Sequence, residues 1–170
     1  MRLSRNVRKL MLFVHTAASV GWFGGAAVLL ILLSGVVTGD LRPESAYPAA
    51  ERVGAVLVVP LSLLSLGSGL CLAVGTHWGL FRHAWVAVKL VTTAAMATLV
   101  LLVLTPELRV AAEAGATLPV DEQGGLMIGP SVSCTLLLIN VALSVYRPGR
   151  SRAARQAGKV RSRAALRPPA

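Results

Sequence analysis

The chain has 170 residues, 55% of them hydrophobic and only 14% charged, and its mean hydropathy is +0.69. Soluble domains average about 45–50% apolar and ~25% charged residues, so this composition excludes an ordinary soluble enzyme. The net charge of +10 does not indicate a nucleic-acid partner, because twelve of the 17 basic residues lie in the first nine or the last 24 positions, outside every apolar run.

The chain opens with a basic tail, residues 1–9, holding Arg2, Arg5, Arg8 and Lys9. A run of 28 apolar residues follows, Leu10–Val37. It reads as a transmembrane helix, since a hydrocarbon core of ~30 Å takes about 20 helical residues at 1.5 Å each. A signal-peptide core is only about 7–15 residues long. No small-x-small site closes this run, so it is expected to be retained. His15 lies five residues into it, about 7.5 Å below the membrane boundary by helical rise. Ser19, Trp22 and Ala26 share its face. Gly21 and Gly25 form a small-xxx-small pair of the kind that lets helix backbones approach.

Residues 38–52, with Pro43 and Pro48, are expected to be an irregular loop, with Pro48 opening the next helix from its first turn. The second span is Val53–Val74, 22 residues, and Pro60 should kink it. Ser65 and Gly69, then Cys71 and Gly75, repeat the small-residue spacing. After a short connection the third span, Ala84–Leu104, 21 residues, carries Lys89 five residues in, with Thr92, Thr93 and Met96 on the same face. His77, Trp78, Phe81, His83 and Trp85 read as an interfacial belt beside it.

Thr105 and Pro106 look like an N-cap and first-turn pair, opening a short surface helix to about Ala114. The fourth span is Leu126–Val145, 20 residues, in which Asn140, one turn before Ser144, is expected to make an interhelical hydrogen bond. Residues 147–170 hold eight basic residues and almost no apolar payload. This tail is expected to be disordered and to lie against anionic lipid headgroups, each basic residue contributing on the order of 1 kcal/mol there.

The expected fold class is therefore all-α: a four-transmembrane-helix bundle over residues 10–146, lodged in a lipid bilayer. Loops 38–52 and 105–125 hold all seven acidic residues but only Arg42, Arg52 and Arg109 among the basic ones. The positive-inside rule then gives an N-in/C-in topology in a bacterial inner membrane. Cys71 and Cys134 differ in depth by roughly 15 Å, too far for the ~7 Å Cα separation of a disulfide. No Cys/His metal spacing is present.

His15 and Lys89 are the candidates for chemistry. A charged side chain at the centre of a span costs at least ~2.5–3.5 kcal/mol and usually marks function. Counted from the same side, the two residues share nearly one depth. They could form one pocket in the cytoplasmic leaflet. Alternatively, Lys89 snorkels to the headgroups and His15 hydrogen-bonds a neighbouring helix.

The pattern His15-x6-Trp22-x-Gly24 on the first helix, with Trp85-x3-Lys89 opening the third, resembles an uncharacterised family of bacterial predicted integral membrane proteins. More distantly it is similar to the copper-resistance D family and to the J-type protoporphyrinogen oxidases. Through the oxidases, the resemblance implies haem or porphyrin handling by a first-helix His and a third-helix Lys. That role would fall here on His15, as a ligand of haem iron, and on Lys89, with Trp22 nearby and haem b as the cofactor. The oxidases continue past their Trp motif with Arg, Tyr and His, whereas this chain continues "AAVLLILLSG" with nothing titratable. The Met- and His-rich surfaces of a copper importer are missing as well.

Three readings follow. One is a membrane protein binding haem or another porphyrin. Another is a non-catalytic bundle that pairs with itself or with another membrane protein through its small-residue faces. The third is a small proton-coupled transporter, disfavoured because no span contains Asp or Glu. No GxSxG, P-loop or GxGxxG motif is present, and no folded segment offers an aromatic-basic face for nucleic acid.

Overall fold

The computed structural model describes residues 4–75 and 84–146, with side chains over 4–75 and 87–144. His77, Trp78, Phe81, His83, the Trp85 side chain and the basic C-terminal tail lie outside the described residues. Those described form helices and short connections, without a strand.

Helix α1, Arg5–Val37, starts at Ser4, whose hydroxyl accepts the Val7 N–H at 3.4 Å. It stops where Gly39 takes a left-handed conformation, φ +81°, and the Leu41 N–H turns back to the Gly35 carbonyl at 2.8 Å. Helix α2, Pro43–Val53, runs through a π-turn at Gly54–Val58 into α3, Val59–Gly75. Helix α4, Ala84–Leu99, runs likewise through a π-turn at Val100–Leu104 into α5, Thr105–Ala114. Gly115, φ +55°, ends α5. A 3-10 turn, Gly115–Thr117, then leads to the short α6, Val120–Gly125, and to α7, Ile128–Tyr146.

Four helical stretches are long and apolar enough to cross a membrane: Arg5–Val37, Pro43–Gly75, Ala87–Thr117 and Val120–Ser144. The first two have 33 residues each, or about 50 Å at 1.5 Å per residue against a hydrocarbon thickness of ~30 Å. The surplus is α2, matched by α5 on the third stretch. These helices carry Glu44, Glu51, Arg52, Glu107, Arg109 and Glu113; they pack on each other, and α2 also packs on α1.

This corrects the sequence expectation in three places. Much of the first loop is helix, and its opening proline is Pro43, with Pro48 inside α2. Thr105 is not an N-cap: its backbone is helical and its hydroxyl donates back to the Val100 carbonyl at 2.7 Å. The expected helix to Ala114 is present, but as a continuation of the third span. The missing N–H of Pro60 is absorbed by the π-turn one residue upstream, and Pro106 follows the second π-turn in the same way. In each case a wide i→i+5 bond, Val59 N–H to Gly54 O and Thr105 N–H to Val100 O, closes the backbone before the proline. The helix therefore continues where a proline could have ended it.

Helix α1 packs on α3 and α7, and α4 packs on the same two, so α1 and α4 stand at opposite corners. One core runs the length of the bundle, from Trp22, Met96 and Leu137 through Leu29, Val58 and Leu104 to Tyr47, Leu108 and Leu118. The expected small-residue packing is present between α1 and the second span. A Cβ on Gly21 would stand 2.8 Å from Leu61 Cδ1, and one on Gly25 would stand 2.9 Å from Val58 Cγ2. That face is thus occupied within the chain and is not the one it would offer to a partner.

Gly25→Leu should therefore destabilise the bundle itself, by about 1–3 kcal/mol as overpacking usually does, measured by thermal unfolding in detergent. Unaltered unfolding would contradict the seam. Tyr47 is 1% exposed and its hydroxyl has no hydrogen-bond partner among the described residues. A buried polar group left unpaired costs about 1–3 kcal/mol. Tyr47→Phe should raise stability by about 1 kcal/mol in the same assay, and a loss would mean that the hydroxyl has a partner.

Candidate functional site

At the end of the bundle nearer the chain termini, α1 carries His15 and Ser19 against α3. The His15 Nδ1 atom is 2.9 Å from the Ser65 carbonyl oxygen and 3.2 Å from Ser68 Oγ. A carbonyl only accepts, so Nδ1 carries the proton and donates to Ser65. Ser68 Oγ donates its own proton to the Leu64 carbonyl at 2.6 Å, which leaves it as an acceptor toward the ring. Ser19 Oγ donates to the His15 carbonyl at 2.8 Å. Its remaining contact, 2.8 Å from Ser65 Oγ, therefore has Ser65 as donor. Ser65 thus bonds α1 twice, through its carbonyl and through its hydroxyl.

Gly69 makes the first of these bonds accessible. A helical Cβ leans toward the N-terminus and covers the turn before it, so a side chain at 69 would lie over the Ser65 carbonyl. A Cβ there would stand 3.1 Å from His15 Cε1 and 3.4 Å from Nδ1. Ser62, Ser65 and Ser68, one every third residue, are all buried and form a hydroxyl stripe along α3. Sequence reading singled out Ser65 only as a small residue. The three-residue spacing of serines in an apolar helix was the signal that would have found the stripe.

The second polar group lies across the bundle. Lys89 Nζ, on α4, donates to Ser144 Oγ on α7, and Ser144 Oγ donates to the Asn140 carbonyl at 3.0 Å. Thr92 Oγ1 lies 3.0 Å from both the Val88 and the Lys89 carbonyls, so its proton is committed to its own helix. The Asn140 amide, 3.4 Å away, then donates to Thr92 Oγ1. This is the interhelical bond expected of Asn140, and it ties α7 to α4. Of the two residues foreseen from the sequence, His15 is held by α3 and Lys89 by α7.

Trp22 faces inward as expected, but it is 0% exposed and its Nε1 has no partner among the described residues. It backs the polar cluster rather than lining it. Cys71 and Cys134 are free thiols. Among the described residues no three His, Cys, Asp or Glu side chains are grouped to hold a bare metal ion.

Four membrane-length helices packed around one core, with an imidazole and an ammonium inside one end, define a multi-pass membrane protein. Comparison with family models, curated proteins and solved structures gives no match.

Gly69→Ala should push the imidazole off the Ser65 carbonyl. The expected loss is about 1 kcal/mol, the net worth of one hydrogen bond, together with a changed ring-nitrogen chemical shift for His15. An unchanged shift would mean that the ring is not held there.

Proposed function

We propose that this is an integral membrane protein of a bacterial inner membrane, with both termini in the cytoplasm, that binds haem or a related porphyrin in its cytoplasmic half. The orientation rests on the separation of charge in the sequence, with all seven acidic residues in the segments 38–52 and 105–125 between spans and most basic residues in the two tails. The observation carrying the ligand reading is the state of His15. Its Nδ1–H is fixed on a backbone carbonyl, as is usual for ligating histidines. The Nε2 lone pair has no hydrogen bond among the described residues. The donor set fits one axial ligand and one propionate contact: His15 Nε2 would face the iron and Lys89 would pair with a carboxylate. Bound haem b would supply an iron centre whose ligation and redox behaviour depend on this axial group and on the polarity around it.

A specific observation also favours a second reading, a non-catalytic bundle that acts through a membrane partner or as a homo-oligomer. The contacts of His15 to Ser65 and Gly69 are complete as a structural clamp between α1 and α3 and require no ligand.

One comparison separates the two. Protein purified from haem-replete cells should show a Soret band that His15→Ala abolishes. His15→Asn can still donate to the Ser65 carbonyl, so it should keep wild-type stability while losing the band. Wild-type protein that shows no Soret band and takes up no added haem would leave only the second reading.

A further inference from the structure

We propose that Lys89 is the cationic half of an oxyanion site, in which the phosphate or carboxylate of a bound ligand serves as its counter-ion. The inference starts from where the chain keeps its carboxylates. Every Asp and Glu lies within residues 40–51 or 107–122. The nearest on the same long helix is Glu107, 18 positions away, or about 27 Å by helical rise. No acidic side chain occurs elsewhere in the sequence, so no residue near Lys89 can supply a carboxylate side chain.

The contacts around Lys89 sharpen this. An ammonium has three protons to donate, and among the described residues the acceptor it finds is Ser144 Oγ. That hydroxyl is neutral, and its own proton is committed to Asn140 O. It orients the ammonium without offsetting its charge. Asn140 and Thr92 are engaged with each other and with their own helices. Among the described residues the other charged or basic side chains at this end are His15 across the bundle and Arg5, Arg8 and Lys9 at the start of α1. Lys89 is partly buried, and an ammonium removed from water without a partner is unfavourable. An external anion completes the arrangement, and these basic groups would draw it in.

The proposal needs no iron, so it stands or falls separately from the haem reading. A phosphatidylglycerol headgroup, free phosphate and a porphyrin propionate are three sources of the same chemistry. Full-length protein in phosphatidylcholine nanodiscs would be titrated with phosphatidylglycerol, with inorganic phosphate and with metal-free protoporphyrin. Binding would be read by native mass spectrometry for the lipid, by calorimetry for phosphate and by fluorescence for the porphyrin.

At least one probe should bind, weaken about tenfold or more in Lys89→Gln, be retained in Lys89→Arg and be indifferent to His15→Ala. Which probe responds identifies the source. Should Lys89→Gln fail to fold, Lys89→Met keeps the apolar stem and serves instead. No binding of any probe to the wild-type protein, or binding unchanged by loss of the ammonium, overturns the proposal. A missing Soret band does not bear on it.

Discussion

Within hydrocarbon, an apolar side chain gains little by exchanging lipid for protein, so membrane helices associate through close packing and hydrogen bonds. In this protein that requirement falls first on the contact between α1 and α3. Gly21 and Gly25 let Leu61, Leu57 and Val58 settle against the α1 backbone. Two turns further toward the chain ends the roles reverse, and Gly69 of α3 makes room for His15 of α1. Ser65, between them, bonds α1 with both of its polar groups. These contacts fix the rotation of both helices about their axes. Because α1 is fixed, the face bearing His15, Ser19 and Trp22 turns inward.

The same economy governs the backbone. Hydrocarbon provides no water for an orphaned carbonyl, so Pro60 and Pro106 are potential faults in their helices. Each is preceded by one π-turn, which shifts the hydrogen-bond register instead of interrupting it. The two spans then continue as α2 and α5 beyond the length a bilayer needs. The apolar core extends with them through Tyr47, Leu108 and Leu118. What alternates in the sequence between apolar and charged residues is thus, over much of the chain, one continuous helix changing its surroundings.

The chemistry available at the other end follows from a shortage. The bundle holds an imidazole fixed by one nitrogen and an ammonium without a carboxylate, anchored on opposite corners. Such a pair suits a ligand that brings electron-pair acceptance to one side and negative charge to the other. A haem with propionates is one such ligand. The amine asks for the charge whether or not a metal accompanies it.

The presence of four membrane-length apolar helices and the segregation of charge were legible in the sequence, because a ~30 Å apolar slab imposes a simple requirement of about 20 apolar residues per crossing; the helices run on past those apolar runs. So was the inward face of α1, since His15, Ser19, Trp22 and Ala26 recur at helical spacing, and so was the bond made by Asn140. Prolines in polar segments, by contrast, suggested irregular chain over 43–52 and a fresh helix start at Thr105, where helix is in fact continuous with the neighbouring span. Local turn propensity carries no information about the neighbouring helix that stabilises α2 or α5. Nor could spacing assign partners. That His15 belongs to Ser65 while Lys89 belongs to Ser144 depends on which helices are adjacent and how far each is rotated. Those quantities exist only once side chains from distant parts of the chain have packed together.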